Sequence, residues 1–419
     1  MRDRDLCAFR PNPLKWACRV ALTLFLTAFS STLSFGQIMP ADAPLPEKID
    51  IIPDETSVFS GIWAGEWTGG MRVLLAVEQI TEGNRAQVVY AVNGRAIANI
   101  PPQWARYDAV IIGDTLRLSG TDAPKIAFTL SPTGCLRAVY DGDQGFGILT
   151  RQDDLENLNW SAGTRFMIET DLIEDAGIVR LDVTTFAPPG DGPFPLAVVN
   201  HGSTGRGTQA DRFASNWADG RLADVLNAQG YIVAFPMRRG RGKSDGLYDE
   251  GFGDDRSKGY TCNAEQSLAG AERATEDVRA VIKSLQAQPH ITDDPVLLSG
   301  VSRGGALSLN LAAEGDIPTR GVINFVGGWI SDKCPTATRI NTAVMTAKSD
   351  VPSIWIYGNE DAFYAITHAQ NIFEKYKANG GDGTFSAYDL PGSGNGHWVH
   401  AFPNLWEQSV TNFLTDLSK

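Results

Sequence analysis

The stretch "LLSGVSRGGA", residues Leu297–Ala306, holds Gly300-x-Ser302-x-Gly304 between an apolar run and a helical pattern. A serine on a sharp turn from a strand into a helix is a nucleophile elbow, in which the helix N-terminus offers free N–H groups to a developing oxyanion. Here "PVLLSG" precedes the turn and "RGGALSLNLAA" follows it at once. We therefore predict that Ser302 is a nucleophile and that the backbone N–H of Arg303 is one oxyanion donor.

A second Gly-x-Ser-x-Gly occupies residues 242–246, with Ser244 at its centre. The segment that follows, "SDGLYDEGFGDDRSKG", is rich in Gly and Asp, which indicates a loop rather than a helix. Its Gly-Lys-Ser also imitates the end of a phosphate-binding loop, but that motif requires Gly at the position of Met237. We therefore predict that Ser244 does no chemistry.

Histidines downstream of Ser302 supply the candidate bases, because the triad of this arrangement runs in the order Ser, acid, His. The Gly-rich loop "LPGSGNGHWVH" follows the last predicted strand, and such loops often carry catalytic residues. His397 is the better placed base and His400 is the alternative. His368 lies inside a helical pattern, so we expect it to be an exposed helix residue.

The acid of the triad is expected directly after the penultimate predicted strand. There "SIWIYGNEDAFY" provides Glu360 and Asp361. We favour Asp361, which is far enough past the strand end to turn toward an imidazole, and keep Glu360 as the alternative. Its task would be to accept the His N–H and to stabilise the imidazolium.

The second oxyanion donor is expected in "VVNHGSTGRG", the loop after the first long strand of the predicted parallel sheet. The backbone N–H groups of Ser203 and Thr204 can point at an oxyanion from this loop. His201 is expected to fix the loop rather than to act as a base.

Two different rhythms divide the chain. Strand and helix patterns alternate over residues 160–419, which predicts an α/β domain with a mostly parallel sheet and helices on both faces. Residues 57–151 show closely spaced, strand-like runs separated by Gly, Asn and Asp, which predicts an antiparallel sheet or small barrel. The Pro-rich, acidic residues 37–56 are predicted to be a linker.

With these residues placed, the α/β domain resembles α/β-hydrolases of the dienelactone-hydrolase and prolyl-oligopeptidase-like branch. The resemblance implies catalytic roles for Ser302, Asp361 and His397 and an oxyanion hole from Ser203 and Arg303. It also implies that the Arg-Gly-x-Gly-x-Ser-x-Gly loop around Ser244 is structural. The matching features are His201-Gly202, "RRGRGKSDG", the elbow Gly300 to Gly304, Gly358-x-x-Asp361 and Gly396-His397.

The chain also departs from these relatives. Dienelactone hydrolases proper use a Cys nucleophile, whereas this chain has Ser302. The N-terminal region is too short for the β-propeller of prolyl oligopeptidases, and the segment between "FVGGW" and "SIWIYG" is too short for a large helical lid. Lipase-like activity at an interface is therefore not expected. Trp329, Phe363, Tyr364 and Trp398 either form an apolar wall or are packing residues.

The β domain opens with "GIWAGEW", Gly61–Trp67. This opening loosely resembles that of lipocalin-like barrels, in which Gly-x-Trp starts the first strand. Trp63, Trp67 and Trp104 either line a ligand cavity or belong to the core.

Composition excludes some classes of partner. The net charge of −13 and the lack of a basic run argue against nucleic acid as a partner.

Residues 1–36 combine a basic segment, a short apolar run and small residues at a cleavage position, which predicts a signal peptide and export to a periplasm or beyond. No stable membrane insertion is expected once that signal is removed. Among the cysteines outside it, Cys262 and Cys334 are the favoured disulfide pair.

These residues predict a secreted serine hydrolase that acts on a small-molecule ester through an acyl-enzyme on Ser302. The chemistry requires no metal or organic cofactor, and no cysteine or histidine cluster has metal-ligand spacing. A serine peptidase acting on short peptides is one alternative. A non-catalytic protein that binds a ligand through the β domain is another.

Overall fold

The computed structural model describes residues 58–67, 71–81, 83–92, 103–131, 134–140, 145–152, 163–174, 177–208, 213–214, 216–390 and 395–418. The predicted signal peptide and linker lie outside these residues. Within them, no helix combines the length and apolar character that a membrane span needs.

The N-terminal domain is a closed barrel of eight antiparallel strands in sequential order, with β8 pairing back to β1. A closed barrel leaves no strand edge unpaired. This confirms the predicted antiparallel β domain. The strands are β1 Gly61–Trp67, β2 Met71–Thr81, β3 Arg85–Val92, β4 Gln103–Ile112, β5 Thr115–Ser119, β6 Ile126–Leu130, β7 Leu136–Tyr140 and β8 Gly145–Gln152.

Side chains fill the interior of the barrel, as the narrow bore of eight strands allows. Trp63 is 1% exposed within the barrel's apolar core, and its indole Nε1 donates to the Phe59 carbonyl at 2.8 Å. The Arg151 guanidinium lies 4.4 Å above its ring. Trp104 packs against a different cluster, on the opposite face of the sheet. These two tryptophans are therefore packing residues and do not line a cavity inside the barrel.

The C-terminal domain has a sheet of eight strands in the order β16-β15-β14-β13-β11-β12-β10-β9. In this spatial order, every pair of neighbours from β16 to β12, including β11, is parallel. The hairpin β9–β10 pairs with β12 through β10 and adds an antiparallel edge. The strands are β9 Thr164–Glu174, β10 Gly177–Phe186, β11 Leu196–Asn200, β12 Ile232–Met237, β13 Val296–Val301, β14 Thr319–Phe325, β15 Ser353–Gly358 and β16 Gly383–Tyr388.

The helices complete the α/β-hydrolase fold that the resemblance implied. Helix α1 contacts α6, whereas α2, α3, α4 and α5 form a second connected group. Their bounds are α1 Gly220–Asn227, α2 Ala264–Gln286, α3 Arg303–Glu314, α4 Ala337–Met345, α5 Ile366–Ala378 and α6 Pro403–Asp416. Since parallel strands end at one edge of the sheet, the loops after β11, β13 and β15 lie there together.

Helix α4 was not predicted. It occupies the segment judged too short for a large lid, and it packs against α2, α3 and α5 as part of the helical layer. Its buried apolar residues Ala337, Ile340, Val344 and Met345 recur at helical spacing. That periodicity was the available signal for this helix.

A disulfide joins Cys262 and Cys334, which lie just before α2 and α4 and are 72 residues apart in the chain. The cross-link restricts the unfolded chain, so we expect Cys262→Ser/Cys334→Ser to lower the free energy of unfolding by about 2–5 kcal/mol. Urea denaturation followed by tryptophan fluorescence would measure the change. An unchanged denaturation midpoint at unchanged slope would contradict it.

The barrel docks on helix α1. Arg72 of β2 donates to the Gly220 carbonyl at 3.1 Å and to the Asp224 carboxylate at 3.0 Å. Glu66 of β1 accepts the backbone N–H of Arg221 at 3.2 Å, and burial raises the pKa of Glu66 to about 8. A Cβ on Gly220 would lie 2.7 Å from the Arg72 guanidinium and 2.9 Å from the Glu66 carboxylate, so a side chain there would have to displace one of them.

Candidate active site

Ser302 lies on the turn between β13 and α3. Its backbone has φ 58° and ψ −121°, a conformation rarely adopted outside glycine that is held where the surroundings impose it. A Cβ on Gly300 would lie 2.3 Å from the Gly304 carbonyl carbon, and one on Gly304 would lie 2.0 Å from the Asn200 carbonyl oxygen. The two glycines of the motif are therefore required for the tight turn and for its contact with β11.

Asp361 and His397 meet although 36 residues separate them in the chain. The imidazole Nδ1 lies 2.8 Å from Asp361 Oδ2. The other carboxylate oxygen accepts the backbone N–H groups of Phe363 at 2.7 Å and Tyr364 at 3.1 Å. Because both carboxylate oxygens are occupied, the acid is held in one orientation and directs the imidazole.

Glu360, the alternative acid, has an exposed side chain. Its contribution to the site is its backbone carbonyl, which accepts the Gly396 N–H at 3.2 Å. That bond ties the loop after β15 to the loop that carries His397.

Asn395 is a site residue that the sequence analysis missed. Its Oδ1 accepts the His397 backbone N–H at 3.1 Å and the Ala362 N–H at 3.3 Å. The side chain thus bridges the segment that bears the base and the segment that bears the acid. An Asn followed at once by Gly396-His397 fits the cap of a short helical turn and was the signal available.

Asn395→Ala removes both of these hydrogen bonds. We expect kcat to fall about 10-fold with little change in KM, because hydrogen bonds worth about 1 kcal/mol each would be lost from the alignment of base and acid. Asn395→Asp keeps an acceptor oxygen and should retain most of the activity. Steady-state kinetics on one ester would measure both, and equal losses in the two variants would contradict this positioning role.

Tyr364 connects the nucleophile with the imidazole. Its ring centroid lies 5.7 Å from that of His397, and its hydroxyl donates to the Gly328 carbonyl at 2.6 Å. Burial raises the pKa of Tyr364, and a hydrogen bond from the Ser302 side chain opposes that rise. Tyr364 therefore lies beside both Ser302 and His397.

The loop after β11 presents one peptide group in a fixed orientation. The Gly202 carbonyl lies 2.7 Å from His201 Nδ1 and accepts Arg241 Nη1 at 3.3 Å. In a trans peptide group the carbonyl and the N–H of the following residue point in opposite directions. Because the Gly202 carbonyl faces Arg241, the Ser203 N–H points away from Arg241. Gly202 itself lies against the nucleophile, since a Cβ there would be 3.1 Å from Ser302 Cβ.

His201 fixes this loop. Its Nε2 lies 3.3 Å from the Arg238 backbone N–H, and its Nδ1 lies 2.7 Å from the Gly202 carbonyl and 3.0 Å from Arg241 Nη1. Burial, followed by Arg238 and Arg241, holds the pKa of His201 well below its usual range. Thr204, the other candidate donor, already gives its N–H to the Tyr260 hydroxyl at 3.1 Å. Of the two N–H groups, that of Thr204 is therefore engaged, and that of Ser203 stays the predicted oxyanion donor.

The Arg303 side chain is buried in the protein, and its backbone occupies the first position of α3. The guanidinium lies 3.6 Å above the Tyr260 ring and 4.3 Å above the Trp329 ring, and it donates to the Glu250 carbonyl at 2.6 Å. Backbone N–H groups in the first turn of a helix have no acceptor within that helix. The Arg303 N–H is thus placed next to Ser302 by a side chain that plays no part in the chemistry.

Three other predictions concern residues around the site. Trp329 is fully buried and donates Nε1 to the Ser267 carbonyl at 2.8 Å, so it is a packing residue rather than a pocket wall. His368 is half-buried rather than exposed as predicted. Its Nε2 lies 3.0 Å from Asn341 Nδ2 of helix α4. Phe363 and Trp398 remain partly exposed beside His397, at ring centroid distances of 4.6 and 6.2 Å.

Ser244 lies away from these groups. Its hydroxyl donates to the Met237 carbonyl at 2.6 Å and accepts the Asp182 N–H at 2.9 Å. Both capacities of the hydroxyl are used in joining strands β10 and β12 to the loop that follows β12. Ser244 is therefore part of the scaffold.

His400, the alternative base, is buried three residues beyond His397. Burial, followed by the neighbouring His397, lowers the pKa of His400 to about 3. Within the described part of the chain, no cluster of His, Cys, Asp and Glu has the composition of a metal site.

Residues 257–404 match the model of the family described as Phospholipase/Carboxylesterase, and this range includes Ser302, Asp361 and His397. No curated protein matches the chain. Similar solved structures include an α/β serine hydrolase homologue from Coxiella burnetii, 18% identical with a TM-score of 0.41 over 59% of this chain and 96% of that one. A Pyrococcus furiosus esterase is 15% identical with a TM-score of 0.42, over 62% and 95%. An α/β serine hydrolase without lid from Xanthomonas campestris is 17% identical with a TM-score of 0.41, over 60% and 94%.

Proposed function

We propose that this chain, a hydrolase with the α/β-hydrolase fold, cleaves carboxylic esters through an acyl-enzyme on Ser302. The observation that carries the proposal is the 2.8 Å contact between His397 Nδ1 and Asp361 Oδ2. The nucleophile predicted for this pair, Ser302, lies on a strained strand-to-helix turn. The carboxylate fixes the tautomer in which His397 Nε2 is free to accept a proton. The match to a phospholipase and carboxylesterase family model supports ester bonds over other acyl bonds.

In the first half of the reaction, Ser302 Oγ attacks the acyl carbonyl while its proton passes to His397 Nε2. The backbone N–H groups of Ser203 and Arg303 would stabilise the negative charge that forms on the carbonyl oxygen. His397 then gives its proton to the leaving alcohol, which departs and leaves the acyl group on Ser302. Asp361 accepts the Nδ1 proton in a hydrogen bond throughout and stays ionised.

In the second half, water replaces the alcohol. His397 takes a proton from that water, whose oxygen attacks the acyl carbon, and the same proton returns to Ser302 as the carboxylic acid leaves.

A serine peptidase with the same triad remains the second reading of the site. Acyl transfer from an amide uses the same groups but has a poorer leaving group, so the bond cleaved depends on how the pocket holds the substrate. Purified protein should hydrolyse p-nitrophenyl acetate and butyrate at least about 100-fold faster, in kcat/KM, than the matched p-nitroanilides. Faster cleavage of the anilides would replace the esterase with a peptidase.

We also propose that the protein is exported. The support is the basic and apolar composition of residues 1–36, which ends in Ser34 and Gly36 at the cleavage position. Mass spectrometry of the protein secreted by an expression host should find a mature chain that starts after Gly36. A chain recovered from the cytosol with Met1 intact would overturn the proposal.

A further inference from the structure

Three arginines are buried around the loop that follows β11 and the first turn of α3. Arg238, Arg241 and Arg303 are only 1%, 5% and 2% exposed. We call these three residues the arginine cluster. Arginine side chains are rarely buried unless their charge is paired, because removing a charge from water is costly. The contacts of each guanidinium therefore indicate why it is buried there.

Glu250 compensates two members of the arginine cluster. Its carboxylate is buried and lies 2.5 Å from Arg238 Nε and 3.5 Å from Arg303 Nη1. Burial opposes the charge on Arg238, but the Glu250 carboxylate outweighs it and holds the pKa of Arg238 above its ordinary value. Both guanidiniums therefore form ion pairs with Glu250.

The charge on Arg241 is compensated less well. Burial holds the pKa of Arg241 below its ordinary value, although Tyr248 and Glu250 oppose this effect. Arginine nevertheless keeps its proton at neutral pH. Because protonation is harder in the folded state than in the unfolded one, this charge lowers the stability of the fold wherever Arg241 is protonated. Groups that are kept at such a cost are often found at functional sites.

The Arg241 side chain contacts the peptide group next to the nucleophile. Its Nη1 donates to the Gly202 carbonyl at 3.3 Å, and the same carbonyl lies 2.7 Å from His201 Nδ1. Gly202 is adjacent to Ser302, since a Cβ on Gly202 would lie 3.1 Å from Ser302 Cβ. The peptide group that joins Gly202 to Ser203 is therefore held at its carbonyl end by a buried cation.

A charged donor on this carbonyl affects the N–H at the other end of the same peptide group. That N–H belongs to Ser203, the predicted oxyanion donor, and it points in the direction opposite to the carbonyl. Hydrogen bonds from ionised donors are strong, and linked hydrogen bonds polarise one another. A donor that is oriented and polarised in advance favours the negatively charged transition state over the neutral substrate.

We propose that Arg241 is a positioning residue of the oxyanion hole, which holds the Gly202 carbonyl and thereby orients and polarises the Ser203 N–H. The inference rests on the proposed esterase function of Ser302. It gives the loop after β12 a part in the reaction, beyond the structural role that the family resemblance implies for that loop.

Arg241→Met tests the proposal, because it removes the charge and the donors but keeps most of the unbranched stem. The kcat for p-nitrophenyl acetate should fall about 10-fold, with KM within about twofold. Butyl trifluoromethyl ketone provides a direct measure of the oxyanion hole. Ser302 Oγ adds to its carbonyl carbon, the serine proton passes to His397, and the ketone oxygen becomes the oxyanion. Its inhibition constant should rise by the same factor as kcat falls.

A stability measurement separates this role from a structural one. The urea denaturation midpoint of Arg241→Met should equal or exceed that of the wild type, because the substitution removes a charge that burial disfavours. Loss of turnover without loss of stability is not expected of a residue that only supports the fold.

Arg239 provides the matched control, since it is a second buried arginine in the same loop. Its guanidinium pairs with the carboxylates of Glu174, Glu276 and Asp277. Arg239→Lys and Arg241→Lys both keep the charge and lose the planar guanidinium. Arg239→Lys should lower the denaturation midpoint and leave the inhibition constant of the ketone within about twofold. Arg241→Lys should raise that constant at least about threefold, and it provides the same test if Arg241→Met fails to fold.

The outcomes distinguish this proposal from the esterase proposal. An unchanged inhibition constant in folded Arg241→Met or Arg241→Lys, or an equal rise in Arg239→Lys, would overturn the role of Arg241 while wild-type ester hydrolysis kept the proposed function intact. A wild-type protein that neither hydrolyses p-nitrophenyl acetate nor binds the ketone would overturn the proposed function itself, and this inference with it.

Discussion

Ser302→Ala is expected to lower kcat for p-nitrophenyl ester hydrolysis by about 10⁴-fold or more, since triad residues act as a unit and removal of the nucleophile eliminates nearly all of their contribution. The residual rate would come from binding and the oxyanion donors. The circular dichroism spectrum should not change, because alanine is serine without the hydroxyl and fits into the same space. A fluorophosphonate probe should label the wild type and leave Ser302→Ala unlabelled.

Ser244→Ala is the matched control, because it removes the same hydroxyl from the same five-residue pattern. Its partners, the Met237 carbonyl and the Asp182 N–H, would lose a bond, and we expect the free energy of unfolding to fall by about 1–3 kcal/mol while labelling persists. If Ser244→Ala abolished acyl-enzyme formation in a folded protein, or if Ser302→Ala kept it, the assignment of the nucleophile would be wrong.

Asp361→Asn is expected to reduce kcat by about 10⁴-fold at neutral pH, because an amide can donate to His397 Nδ1 and thereby select the tautomer with the proton on Nε2. The base would then face Ser302 with a proton already in place. The fluorophosphonate should label this variant slowly rather than not at all, since the nucleophile is still present. Single-turnover labelling rates and steady-state kcat would both report the change.

Glu360→Gln provides the control for the neighbouring carboxylate. The Glu360 side chain is exposed and its backbone carbonyl supports the loop, so the substitution should leave kcat within about twofold. A large effect of Glu360→Gln with a small effect of Asp361→Asn would transfer the role of the acid to Glu360.

Local patterns along the chain were sufficient for some features. The alternation of strand and helix periods predicted the α/β domain, and the apolar run before Ser302 with the helical run after it distinguished the elbow from the copy at Ser244. These signals are local, because hydrophobic periodicity and the conformational freedom of glycine act over a few residues. The apolar residues of α4 also recur at helical spacing, so that helix too has a local signal in the sequence.

The three-dimensional arrangement decided the features that join distant segments. The choice of Ser203 over Thr204 depends on the Tyr260 hydroxyl, which lies 56 residues away in the chain. Asn395 emerged as a bridge only where its carbonyl oxygen met Ala362, 33 residues earlier. Neither contact has a spacing that a pattern search could find.

The sequence by itself determined the class of the fold, the division into a β domain and an α/β domain, and a short set of candidate triad residues. The tertiary structure alone decided which carboxylate contacts His397 and which N–H group of the loop after β11 is bonded to Tyr260. The reason is physical. Secondary structure follows from periodicity within one segment, whereas a site is formed where the order of strands in a sheet brings the ends of separate segments to one edge.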